Sequence, residues 1–182
     1  LVIVDDTEKL VTLLKWLDGE GVPRFILGGG SNMLAGDEGF RGVVVKIKTQ
    51  KTEVVPDGII ADAGCITVAV AQLSMQHKFT GFEWGVGVPG TIGGAVRGNA
   101  GAMGGEMTDS VASVIAYRDG EVVELSHAEC KFGYRDSVFK HSEAVVLRVR
   151  LKLESAATPE GMKKALEYLQ YRNKTQPQGF AS

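Results

Sequence analysis

Apolar and polar positions alternate with two different periods along this chain, and each change of period marks an element. Residues 1–4 are an apolar run of strand length, and Asp5-Asp6-Thr7 supplies a helix cap with acids near the positive end of a helix dipole. Leu10, Val11, Leu13, Leu14 and Leu17 then recur at helical spacing, and Gly19 is expected to stop that helix. Residues 24–27 and 43–47 read as buried strands, so the first 47 residues predict a β-α-β-loop-β unit. Short strands follow over residues 52–55 and 59–63 around a Pro56-Asp57-Gly58 turn. Residues 66–79 predict a helix with Val68, Ala71, Leu73 and Met75 toward a core. Residues 111–117 and 121–125, separated by Asp119-Gly120, predict a hairpin, and Ser126-His127-Ala128-Glu129 has the form of a capping box. The run VVLRVRLKL alternates as a half-exposed strand does, which puts Arg148, Arg150 and Lys152 on a solvated face. Thr158-Pro159 is expected to open a last helix, with Met162, Leu166 and Leu169 on its apolar face and an end near residues 174–177.

Residues 81–107 fit neither period. Ten of these 27 residues are glycine, and each interior glycine costs roughly 0.5–1 kcal/mol relative to alanine in a helix or strand. Flexible linkers are polar and serine-rich, whereas Phe82, Trp84, Val86, Val88, Ile92 and Val96 are interleaved here. The stretch therefore reads as a surface moulded to a large ligand. Gly85-x-Gly87-x-x-Gly90 matches a dinucleotide fingerprint, and Asp109 lies about 20 residues on, where a ribose-binding acid belongs. The context rejects that reading, because further glycines interrupt the crossover helix and Asp109 precedes the next strand instead of ending it.

Two other places carry candidate chemistry. Gly28-Gly29-Gly30-Ser31-Asn32 follows a strand, and successive N–H groups of such a turn can converge as an anion nest, with Ser31 and Asn32 adding side-chain donors. A tight hairpin turn is the plainer reading, but a single glycine would normally serve it. No Lys-Ser/Thr follows at P-loop spacing. In Phe132-Gly133-Tyr134-Arg135-Asp136-Ser137, Arg135 is either a ligand contact or a structural partner of Asp136, and the sequence leaves both open.

Bulk properties narrow the class. A formal charge of −2 over 182 residues argues against a general nucleic-acid or anionic-membrane binder. No stretch approaches the ~20 apolar residues of a membrane span, and the start lacks a signal peptide's order of segments. A soluble cytoplasmic protein is expected. Cys65 and Cys130 make no metal spacing or disulfide framework, His77, His127 and His141 carry no metal pattern, and both thiols are expected to be buried. The absence of an initiator methionine and the stop at Phe180-Ala181-Ser182 suggest a piece of a longer protein.

Taken in series, LGGGSNML, GVPGTIGGAVRGNAGAMGGE, FGYRDSVFK and RNKTQP resemble the UDP-N-acetylenolpyruvoylglucosamine reductase (UDP-N-acetylmuramate dehydrogenase) family of bacterial cell-wall synthesis. The resemblance covers nearly the whole chain and implies an α+β fold, an FAD-binding domain of the PCMH or vanillyl-alcohol-oxidase type made of two α+β subdomains. It implies FAD-binding subdomains over residues 1–48 and 49–157, and a helix and linker over 158–182 leading to a substrate-binding domain that lies beyond. It further implies that Gly28, Gly29, Gly30, Ser31 and Asn32 hold the FAD pyrophosphate. Pro89, Gly90, Thr91, Ile92, Gly93, Gly94 and Ala95, with Asn99, Ala100, Gly101 and Ala102, would lie along the flavin and ribityl chain. Arg135 is the implied catalytic residue, and Tyr134 and Arg135 the implied substrate contacts. Family members take hydride from NADPH and reduce the enolpyruvyl double bond of a UDP-sugar. The proton-donating serine and a later glutamate fall after Ser182 in the family pattern, so this chain alone is expected to bind FAD without turnover. Two rivals are an FAD-dependent oxidase of the same fold, disfavoured because no histidine for covalent attachment sits in either glycine-rich loop, and a non-catalytic flavin-binding module.

Overall fold

The computed structural model describes residues 1–155 and 160–175. The first lobe is a parallel sheet of β1 (Val2–Val4), β2 (Arg24–Leu27) and β3 (Val43–Ile47) in the order β1-β3-β2, with α1 (Thr7–Gly19) crossing from β1 to β2. Asp6 caps α1, its Oδ1 accepting from Glu8 N at 2.9 Å and Lys9 N at 3.0 Å. Leu10, Leu14 and Leu17 form the buried face of α1 at helical spacing, each worth about 1.5–3 kcal/mol when fully removed from water. Val11 and Leu13 are only partly buried. The expected stop at Gly19 needs correction: α1 includes Gly19, Glu20 caps it, and Gly21 (φ +63°) takes the left-handed turn.

The second lobe is built on a five-stranded antiparallel sheet in the order β10-β9-β11-β5-β4. Its elements are β4 (Thr52–Val55), β5 (Gly58–Asp62), α2 (Thr67–Gln76), β6 (Phe79–Thr80), α3 (Ile92–Arg97), β7 (Gly101–Ala102), β8 (Gly105–Glu106), α4 (Met107–Ser110), β9 (Val111–Arg118), β10 (Glu121–Ser126), β11 (Val145–Lys152), β12 (Glu154–Ser155) and α5 (Glu160–Thr175). Arg118 pairs with Glu121 across Asp119 (φ +52°) and Gly120 (φ +85°), the two positive φ angles of a type I′ hairpin, as the Asp-Gly signal predicts. Gly58 is required on β5, since a Cβ there would meet Leu151 O at 1.9 Å. Fully buried Tyr117, Phe82, Phe139, Ile59, Ile92, Met107, Leu147 and Leu151 fill the core.

Several sequence expectations shift. The 66–79 helix is shorter, because Lys78 takes φ +59° and Phe79-Thr80 leaves to pair with β12. The buried face of α2 is Thr67, Val70, Ala71 and Ser74, while Leu73 and Met75 are only partly buried. Arg148 is not simply solvated: its guanidinium lies 3.0 Å from the buried Asp62 carboxylate, whereas Arg150 pairs with Asp57 at 2.9 Å across the exposed face. The 126–129 box is half formed. Glu129 accepts from Ser126 N at 2.8 Å, but the Ser126 hydroxyl also donates to Glu129 instead of accepting from the helix. In α5, which packs on the 3-10 turn Glu83–Gly87, Ala165 is buried and Tyr168 and Leu169 partly so, while Leu166 is exposed. The Met162 side chain, the Thr158-Pro159 cap and the chain after Thr175 lie outside the described residues.

Candidate functional site

Strand β2 runs straight into residues 28–32. Among the described residues, the amides of Gly29, Gly30, Ser31 and Asn32 have no acceptor, and neither do the Ser31 and Asn32 side chains. Gly30 takes φ +74°, a conformation that lets successive N–H groups turn toward one side. This turn abuts the other glycine-rich loop. A Cβ on Gly29 would lie 2.9 Å from Gly90 Cα, one on Gly28 2.5 Å from Thr91 Oγ1, and one on Gly90 (φ +98°) 2.7 Å from Ser31 Oγ. Glycine at these positions lets the backbones of the two lobes meet.

The second loop is braced from behind. Ile92 N donates to Cys65 O and Gly93 N to Ala63 O, both at 2.9 Å, while Thr67 N donates to Gly90 O at 3.1 Å. Thr91 caps α3 by accepting from Gly94 N, and Ala95 N donates to Thr91 O at 2.8 Å. A Cβ on Gly93 would sit 2.8 Å from that of Ala63. Gly90 and Thr91 are the amides of this loop left without an acceptor among the described residues.

Between the loops opens a cleft of about 880 Å³, within the range of pockets that hold small ligands and cofactors. Residues 28–32, Pro89, Gly90, Thr91, Gly93, Gly94, Ala95, Ala100, Gly101 and Arg135 all line it. Of the remaining expected positions, Ile92 is fully buried behind the loop, Tyr134 is 85% exposed outside the cleft, and Ala102 pairs with Gly105 in the β7–β8 ribbon. Asn99 is 1% exposed. Its side chain donates to Glu106 Oε2 and Gly133 O, both at 2.8 Å, and accepts from Thr108 N at 3.0 Å, so it is engaged by the protein itself.

Asn99 ties the loop to the hairpin that presents Arg135. Gly133 and Asp136 exchange backbone bonds at 3.0 and 3.1 Å, leaving Tyr134 and Arg135 at the tip with Arg135 at φ +53°. The guanidinium donates to Gly101 O at 2.8 Å and Asn99 O at 3.4 Å, and packs 5.4 Å from the Tyr134 ring centroid. Two of its five N–H donors are thereby engaged, and the others remain for a ligand. Asp136 pairs with His141 at 2.9 Å, not with Arg135, and the hydrogen bond from His141 holds its carboxyl below the ordinary value despite some desolvation. Burial pushes Cys65 and Cys130 up to about 11, so neither thiol is poised as a nucleophile. Arg24 and residues 141–144, which also line the cleft, carry no local sequence signal of a site.

Two glycine-rich loops from separate lobes that line one cleft together with a guanidinium are an arrangement suited to a nucleotide cofactor. The chain belongs to the FAD binding domain family, whose model matches residues 1–126. It is 39% identical over its whole length to UDP-N-acetylenolpyruvoylglucosamine reductase of Caldanaerobacter subterraneus subsp. tengcongensis, covering 61% of that protein. It is 40% identical over 89% of its length to the same-named protein of Nocardia farcinica, covering 42% of it. The crystal structure of the UDP-N-acetylenolpyruvylglucosamine reductase from Thermus caldophilus superposes on 97% of this chain with a TM-score of 0.82 and 31% identity, covering 63% of that chain. The chain thus spans about three fifths or less of the length of these relatives. A VAO-type flavoprotein from Myceliophthora thermophila shares the fold alone, at a TM-score of 0.62 and 15% identity. The vanillyl-alcohol-oxidase-type α+β fold expected from the sequence is the one observed.

Proposed function

We propose that this chain is the FAD-binding part of a cytoplasmic flavoprotein reductase of peptidoglycan precursor synthesis. The reaction is the NADPH-dependent reduction of UDP-N-acetylglucosamine enolpyruvate to UDP-N-acetylmuramate. The observation that carries this reading is the meeting of the free amides of residues 29–32 with the bare backbone of Gly90 and Thr91 in one cleft. Converging N–H dipoles suit a diphosphate in a chain with no surplus positive charge. The Ser31 and Asn32 side chains add donors at the same turn. The braced loop over residues 89–95 lines the cleft mostly with small residues, against which a planar ring could lie, and its own hydrogen bonds would keep it from moving when a ligand arrives.

FAD bound in this cleft would supply two-electron chemistry between NADPH and the enolpyruvyl alkene. Arg135, fixed by Gly101 O and Asn99 O, would place positive charge where the substrate carboxylate and its neighbouring carbon gain negative charge. Such preorganised charge lowers the barrier because it needs no reorganisation at the moment of reaction. The positive φ at Arg135, its bonds to Gly101 O and Asn99 O, and the Asn99 side chain's bond to Gly133 O at the base of its hairpin fit a residue held for a task. Proton donation at the adjacent carbon would belong to the part of the relatives' length that this chain does not span, so this chain alone is expected to bind without turnover.

Titration of the chain with FAD, followed by gel filtration, tests the reading. Retention of one FAD per chain is expected, released intact on denaturation because neither glycine-rich loop carries a histidine and the one histidine that lines the cleft, His141, is paired with Asp136. Failure to retain flavin overturns the reading, and flavin that stays attached after denaturation favours an oxidase of the covalent type.

A further inference from the structure

The two lobes also touch at the end of β2 opposite the glycine turn. Arg24 opens β2, and its side chain is 10% exposed. The guanidinium pairs with Asp18 at the end of α1, packs with its Cζ 5.9 Å from the ring centroid of Tyr117 on β9, and donates to Glu143 O at 3.4 Å. Tyr117 is fully buried, and its hydroxyl donates to the other Asp18 oxygen at 2.5 Å. One carboxylate therefore holds a cation from its own lobe and a phenol from the other.

We propose that Asp18, Arg24 and Tyr117 form an interlobe clamp that sets the width of the cleft and so governs how long the cofactor stays bound. This rests on the flavin reading above. Three observations carry it. First, Arg24 lines the cleft, and so does Val145, which pairs in register with Tyr117. Second, β2 joins the clamp to the anion nest through four residues, a stiff rod of roughly 10–13 Å at about 3.3 Å per residue. Displacement at the clamp is therefore transmitted to residues 28–32. Third, Arg24 Nε is buried without an acceptor. An apolar contact would join the lobes without leaving that group bare, whereas directional, charge-assisted bonds fix their orientation. The three residues do not touch the reacting end at Arg135, so they act by positioning.

The test uses the chain with FAD in stopped-flow flavin fluorescence, comparing the unmutated protein with Tyr117→Phe and Asp18→Asn. Tyr117→Phe removes one hydroxyl and keeps the buried ring, so folding is retained. Loss of a hydrogen bond to a charged group predicts FAD dissociation faster by about tenfold or more in each variant, with binding still saturating at one FAD per chain. The double variant should be little worse than either single one, because the bonds share one carboxylate. A purely structural role gives a different pattern: a smaller binding-competent fraction with an unchanged dissociation rate. Unchanged rates in both single variants overturn the clamp and leave the flavin reading standing. Absence of FAD binding by the unmutated chain overturns that reading, and the clamp with it.

Discussion

The two glycine-rich segments look alike as sequence and differ as structure. In residues 29–32 the backbone donors have no acceptor among the described residues, and the glycines clear room for the opposite lobe: Gly28 for Thr91 and Gly29 for Gly90. In the stretch from Gly85 to Gly105 most amides serve the protein. Gly93 presses on Ala63, Gly101 on Gly105 O and the Glu106 side chain, and Gly105 on the Trp84 ring, where an added Cβ would come within 2.3 Å of Cδ1. One loop is an open set of donors and the other a wall held rigid by its own bonds. Glycine density alone does not separate a backbone that must approach a ligand from one that must approach its neighbours.

Substitutions should therefore separate into folding effects in the second segment and binding effects in the first. Asn99→Leu is expected to be the most damaging, since it unpairs the half-buried Glu106 and Thr108 N together with Gly133 O and puts a branched side chain at φ +39°, in all roughly 2–4 kcal/mol. Urea unfolding should show a large loss, and near-complete retention of stability would break the comparison. Next, Gly105→Ala forces Trp84 to shift in a packed site and should cost about 1–3 kcal/mol by the same measurement. Gly29→Ala, whose Cβ would meet the Gly90 backbone at 2.9 Å, should lower the unfolding midpoint only modestly and show its main effect as FAD binding weakened roughly ten- to hundredfold in a fluorescence titration, because it wedges the lobes apart.

Arg135→Gly should change stability by no more than about 1 kcal/mol, since glycine relieves the positive φ while the two backbone bonds are lost. Introduced into a full-length reductase, it should nevertheless abolish most of the turnover while FAD remains bound. The smallest effect concerns acid. The Asp136 carboxyl is depressed by its bond to His141, so its contribution is complete above its ordinary value near 4 and is lost as pH falls through the lowered folded value. Asp136→Asn should accordingly reduce stability slightly at pH 6 and not at pH 2, as measured by unfolding curves at the two pH values.

Much of this was legible in the residues. The first strand-helix-strand unit, the Asp119-Gly120 hairpin and the two glycine-rich segments that line the cleft all carry local signals that the fold honours. Elsewhere tertiary pairing overrode the local pattern: Phe79 leaves a helical run to join β12, and Arg148 turns from the expected solvated face to the buried Asp62. Asn99 shows another limit. Its sequence context marks a ligand loop, but its three hydrogen bonds reach residues 7, 9 and 34 positions away, partners that no local pattern discloses. Arg24 and Tyr117 are 93 residues apart and look like ordinary strand residues until the sheets assemble.

The most direct measurement is an amide NMR spectrum of the chain with and without FAD. The free donors of Gly29, Gly30, Ser31 and Asn32, with Gly90 and Thr91, should show the largest shifts, while Ile92 and Gly93, bonded to Cys65 O and Ala63 O, should stay protected from exchange in both states. Saturable FAD binding that leaves residues 29–32 unshifted, or that moves amides on the outer faces of the lobes instead, would contradict the account.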